Sequence, residues 1–120
     1  MQILPHPRPE TPLQRQERRR YQRYAVRCRC WLESESASLF AQTVDVGMGG
    51  LFLRTGVPLP EGALVGVTLE LSRGGQRLRA EGVVSRSVRP RLGARHGMGV
   101  ELVQITDGLN GLEHMLGKAR

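Results

Sequence analysis

Apolar residues recur at every second position over nine residues of this chain, from Tyr24 to Leu32. Between residues 24 and 32, Tyr24, Val26, Cys28, Cys30 and Leu32 alternate with Ala25, Arg27, Arg29 and Trp31. A period of two places the first set on the inner face of a β-strand and the second in water. "SESAS" supplies a turn, and "LFAQTVDV" (residues 39–46) reads as the returning strand. "GMGG" breaks it, and "LFLRT" (residues 51–55) follows as a third short strand. After a Pro- and Gly-rich loop at residues 56–62, Val65, Val67, Leu69 and Leu71 mark one face of a fourth strand over residues 63–71. The Gly-Gly of "SRGGQ" predicts a tight turn into a long strand over residues 77–88 that bends at Gly82. "RPRLGARHG" is a further loop, and residues 98–105 form the sixth strand. Six short strands with hairpin connections predict an antiparallel barrel or sandwich.

The period then lengthens. Leu109, Leu112, Met115 and Leu116 recur at three- and four-residue spacing, with Thr106 or Asp107 in front as a candidate cap, which predicts a short C-terminal helix. Gly108, Gly111 and Gly117 each weaken it by about 1 kcal/mol relative to alanine, so it depends on packing against the strands. Residues 1–16 carry four of the seven prolines and little apolar character, which predicts a flexible N-terminal arm ahead of a single domain over residues 17–120. With 120 residues there is room for one modest core, built from Val and Leu because aromatics are only 4%. No run reaches the roughly 18 apolar residues of a membrane span. The first residues lack the apolar centre of a secretory signal, and the expected location is the cytoplasm.

Charge changes this picture at one end. Residues 1–30 hold eight arginines against Glu10 and Glu17, so six of the chain's seven net positive charges sit in its first quarter. Seventeen arginines accompany a single lysine, Lys118; a guanidinium offers phosphate or a guanine edge a flat two-pronged fork, where an ammonium offers a point charge. An anionic partner is expected. Arg20, Arg27 and Arg29 are read as solvated surface. Trp31 falls among the outward residues and is read as packing. Cys28 and Cys30 share a face and have no further Cys/His pair to complete a zinc set, so they are expected to be small buried thiols. His6, His96 and His114 are scattered, no nucleophile has a partnered base, and the acids are dispersed. No enzyme and no cofactor are expected.

Two stretches carry the candidate chemistry: the arginines Arg18, Arg19, Arg20 and Arg23, and "DVGMGG" (residues 45–50) at the exit of the second strand. In an antiparallel hairpin the start of one strand lies beside the end of the next, which brings both stretches to one place. Arginine forks there would take phosphate oxygens or the O6/N7 edge of guanine. A carboxylate, Asp45, accepts from the amino and imino donors that guanine has and phosphate lacks. Glycines let the backbone approach a ligand closely. The set suits a guanine nucleotide with exposed phosphates.

These stretches resemble the two signatures of the PilZ domain, RxxxR and [DN]xSxxG. "RRYQR" (Arg19 to Arg23) matches the first and "DVGMGG" the second, followed by the family-like "LFL"; "GMGVELVQI" looks like the family's final strand. The resemblance covers about residues 17–116. It implies an all-β fold, a six-stranded antiparallel β-barrel with a short C-terminal α-helix, and the ligand cyclic di-GMP. Arg19 and Arg23 would grip phosphates and guanine edges, Arg18 would assist, Asp45 would read a guanine, and Gly50 would hold the loop turn. The arm would order over the ligand and so signal to a downstream protein partner. Gly47 departs from the pattern, standing where the family usually has serine. The missing hydroxyl bond is worth about 0.5–1.5 kcal/mol, so Gly47→Ser is expected to strengthen binding. Two other readings follow from the same residues: a ligand-independent protein-interaction adaptor with a degenerate site, and a nucleic-acid-binding barrel. The latter has few aromatics to stack bases, namely Tyr21, Tyr24, Trp31, Phe40 and Phe52, several of them expected in the core.

Overall fold

The fold is given by a computed structural model that describes residues 22–71, 75–88 and 96–118. The strands are β1 (Arg23–Tyr24), β2 (Arg29–Glu33), β3 (Ser38–Gly47), β4 (Gly50–Arg54), β5 (Leu64–Glu70), β6 (Arg77–Val88) and β7 (Gly97–Asp107), followed by helix α1 (Leu109–Lys118). All pairings are antiparallel, in the order β3-β2-β5-β6-β7-β4, and β4 pairs back onto β3. Six strands therefore close into a barrel, which removes every long free edge. Of the two architectures compatible with the strand pattern, the barrel is the one formed.

The predicted first strand is present but broken. β1 pairs with β3 through Arg23↔Gly47 and Tyr24↔Val46, and β2 pairs with the same strand from Arg29↔Gln42 onward. Residues 25–28 leave the ladder between them. The cause lies across the gap: the Thr43 hydroxyl donates to the Val26 carbonyl at 2.6 Å and accepts from the Cys28 amide at 2.8 Å. A side chain has taken partners that a regular ladder would supply, as short hydroxylic residues can.

Alternation decides what fills the barrel. Leu32, Leu51, Leu53, Leu69, Leu78 and Met98 are fully buried; most are flanked along their strands by more exposed residues or by glycines, whereas in β4 Phe52, between Leu51 and Leu53, is buried as well. Gly82 is one such point. β6 shifts register against β7 there, and a Cβ would lie 2.8 Å from Val100 Cγ1 and 2.9 Å from the Glu101 carbonyl. The bend expected at this residue is thus a bulge with a steric reason. Trp31 lies outside and meets Phe40 edge-on at 5.1 Å across the β2–β3 pair.

At the C-terminus the helix is as expected, but its start is not. β7 runs on to Asp107, and the Thr106 hydroxyl donates to the Arg79 carbonyl at 3.0 Å instead of capping. Gly108, at φ +89°, makes the turn, and its carbonyl accepts the first helical bond from the Leu112 amide. Neither candidate cap could take this backbone geometry without strain. Leu112 and Leu116 enter the core, whereas Leu109 stays exposed. Among the described residues no helix is long and apolar enough to cross a membrane.

Both cysteines are free and buried, with Cys28 Sγ 3.7 Å from Met115 Sδ of α1. Burial pushes the Cys30 thiol from its ordinary 9.0 up to about 12 and raises Cys28 as well. The folded chain then holds the Cys30 proton over a range in which the unfolded chain has released it. Stability is fully present below pH 9 and declines as pH rises towards 12. Denaturation midpoints measured at pH 7, 9 and 10.5 should fall only across the upper interval, and Cys30→Ala should flatten that fall.

Candidate functional site

β3 and β4 are joined by Met48 and Gly49 alone, closed by the pair Val46↔Leu51. The Leu102 amide of β7 donates to the Gly49 carbonyl at 3.0 Å, which ties the hairpin turn to the strand beside β4. β1 lies along the other edge of β3, opposite Val46 and Gly47. The start of the first strand and the end of the second are therefore neighbours, as the antiparallel argument requires.

Arg23 spans that junction. Its Cγ passes 3.1 Å from where a Cβ of residue 47 would stand, and its Nη2 lies 3.0 Å from the equivalent point at residue 50. Nη1 forms an ion pair with Asp45 Oδ1 at 3.5 Å. The stem rests on one glycine, and the guanidinium lies between a carboxylate and a second glycine. Arg23 and Asp45 side chains are 42% and 25% exposed, so the pair faces outward and can meet a ligand. At that exposure the ion pair contributes at most about 1 kcal/mol to folding, and its effect is to orient the fork.

Both glycines are needed for close approach. A Cβ at Gly50 would stand 2.7 Å from the Val100 carbonyl, and one at Gly47 would stand 2.7 Å from the Gln22 carbonyl. Backbone oxygens cannot turn aside as side-chain ends can. The expectation for Gly47→Ser therefore changes. Adding the hydroxyl first forces β1 away from β3, and Arg23 moves with it. Such overpacking costs about 1 kcal/mol, the low end of the usual range because a two-residue strand can yield. Hydrogen exchange should show lost protection at Tyr24, and affinity for a ligand held by Arg23 should not rise. A tighter complex would mean that β1 yields without cost.

Of the sequence-derived site, the structure brings together Arg23, Asp45, Gly47 and Gly50. Arg18 and Arg19 lie outside the described residues, as do residues 1–16, for which an N-terminal arm is expected. Thr43 is a positioning residue that sequence reasoning passed over. It is 2% exposed and, through its bonds to Val26 and Cys28, sets the path by which the chain leaves β1 and reaches β2. A threonine at an inward position of an otherwise apolar strand face was the signal available. The buried Phe52 is the cross-strand partner of Asp45, and the row of partners continues through Gly99 to Arg86, crossing four strands. Among the described residues no cluster of His, Cys, Asp and Glu could hold a metal ion.

A family model for the PilZ domain matches residues 17–117. Comparison with curated proteins returns no match. Among solved structures, the Bacillus subtilis inhibitor of motility (MotI/DgrA) is similar, with a TM-score of 0.68 and 17% identity over 85% of this chain and 49% of that one. This chain spans about half the length of that protein, and the likeness is one of fold.

Proposed function

The chain belongs to the PilZ domain family, and on that premise we propose that it is a cytoplasmic receptor for the bacterial second messenger cyclic di-GMP that signals by binding rather than by catalysis. Arg23 takes a phosphate or a guanine O6/N7 edge, Asp45 accepts from guanine N1–H and N2–H, and Gly47 and Gly50 let the Arg23 side chain and the neighbouring backbone pack close enough to hold the fork in place. Arg18 and Arg19 complete the grip, so that the ligand fixes the arginine segment against the barrel and presents a changed surface to a protein partner. The observation that supports this reading most is the placement of the Arg23 guanidinium over Asp45 and Gly50. Titrating the purified chain with cyclic di-GMP in a calorimeter tests it. A saturable heat is expected, together with a stabilisation of about 2.7 kcal/mol when the ligand stands at a hundred times its dissociation constant. No heat and an unmoved melting temperature at high ligand concentration would overturn it.

One observation favours a second reading. The place of the family's usual serine side chain is closed by the Gln22 carbonyl, as suits an adaptor whose binding surface is held without ligand. Capture of a protein partner whose affinity is the same with and without cyclic di-GMP would select it.

A further inference from the structure

β3 is opened on both sides at one point. Against β4 its register shifts between Thr43 and Asp45, so that Val44 is the extra residue of a bulge. On the other side, the pairing Tyr24↔Val46 is followed by the Thr43 amide donating to the Cys28 carbonyl at 2.9 Å. There residues 25–27 stand opposite only Val44 and Asp45. Each mismatch bends the chain and interrupts the ladder. Between them lies a depression of about 280 Å³ lined by Ala25, Arg27, Gln42, Thr43, Val44 and Arg54.

Its chemistry is one-sided. Arg54 is the cross-strand partner of Gln42, so a guanidinium and an amide stand side by side, and Arg27 comes from the opposite wall. Both arginines are exposed, and among the described residues no carboxylate lines the depression. Among the described residues neither has an ion-pair partner, in contrast to Arg23 with Asp45. Two guanidinium forks and an amide donor around a small open hollow suit an oxyanion, which also relieves the repulsion between the two cations. The volume lies just below the usual range for whole small-molecule sites, enough for a phosphate with part of its sugar and too little for a dinucleotide. Three positions along β3 separate Gln42 from Asp45, about 7–10 Å of strand. One nucleotide unit bridges that interval.

We propose that this bulge-centred hollow is a second, phosphate-binding subsite, in which Arg27 and Arg54 hold a phosphate group of a nucleotide whose base is read at Arg23 and Asp45. The assignment rests on the cyclic di-GMP reading for the identity of the nucleotide, but its phosphate chemistry is testable alone. Arg27 is then more than decoration of a wet strand face.

Calorimetry on the full chain with cyclic di-GMP, comparing wild type, Arg27→Ala, Arg54→Ala and the distant control Arg79→Ala, tests it. Each of the first two should weaken binding about tenfold and flatten its dependence on salt, with Arg79→Ala unchanged. If Arg27→Ala and Arg54→Ala both bind as wild type while Arg23→Ala binds more weakly, the subsite is overturned and the receptor reading stands. If wild type binds no cyclic di-GMP, the receptor reading falls and the subsite is judged by titrating inorganic phosphate while following arginine Nε–Hε resonances by NMR. Saturable shifts at Arg27 and Arg54 that vanish in Arg54→Ala would support it. Unmoved resonances at millimolar phosphate would overturn it.

Discussion

Thr43→Val is expected to destabilise the barrel by about 2–3 kcal/mol, although valine matches threonine in shape and suits a strand. Thr43 is 2% exposed, and its hydroxyl serves two backbone groups that stand between β1 and β2, outside the ladder. Its removal leaves the Cys28 amide, which is buried, and the Val26 carbonyl, which is partly so, without that partner. An unsatisfied buried donor costs about 1–3 kcal/mol, and a partly wetted acceptor costs less. For a domain of this size the sum lowers the melting temperature by about 10 °C or more. Thr43→Ser keeps the hydroxyl, loses one methyl, and should cost about 1 kcal/mol. Thermal denaturation of the two variants separates the bond from the packing. Equal losses would show that the methyl, and not the bridge, matters. Because the bridge sets the path of residues 25–28, Thr43→Val should also loosen β1 and weaken any ligand held by Arg23.

The same residue marks the boundary of what the sequence makes legible. Period-two alternation and the Gly- and Pro-rich breaks between runs located the strands of the barrel, and in the first and fourth runs alternation also marked the inward face, because inward and outward positions there follow from the pleat. Alternation cannot register a competition for hydrogen bonds, and so the break at residues 25–28 was hidden. It depends on which side chain lies opposite, a fact of register. Gly47 is similar. From the sequence it is a serine without its side chain, whereas in the fold it is the space into which the Gln22 carbonyl fits. The helix start was displaced because Thr106 and Asp107 carry cap chemistry and strand alternation together, and pairing with β6 prevailed. At the site, Arg23 and Asp45 could be joined in advance because hairpin geometry demands it. Arg27 and Arg54 could not, since they meet only where two irregularities in β3 coincide.

Arg23→Ala and Asp45→Asn are each expected to reduce cyclic di-GMP affinity about 10- to 100-fold while leaving the melting temperature within a few degrees of wild type. The small effect on folding follows from the outward position of the pair, 42% and 25% exposed, for which an ion pair is worth about 0–1 kcal/mol. The large effect on binding follows from what the ligand does to the same groups. Once covered, a guanidinium on phosphate or a guanine edge forms charge-assisted bonds worth about 1.5–3 kcal/mol, and truncation leaves the ligand's oxygens unpaired. Asp45→Asn keeps the shape but replaces one acceptor oxygen with a donor, which then faces the guanine N–H groups instead of accepting from them. Discrimination built on such bonds fails steeply, because a mismatched donor leaves buried groups unpaired on both sides. Salt adds an independent sign: Arg23→Ala removes one cation from the phosphate contact and should flatten the dependence of affinity on ionic strength, whereas Asp45→Asn should not. Calorimetry at two salt concentrations, paired with thermal denaturation, reads all of these. Wild-type affinity in both variants would remove the pair from the ligand and leave it as a surface contact between β1 and β3.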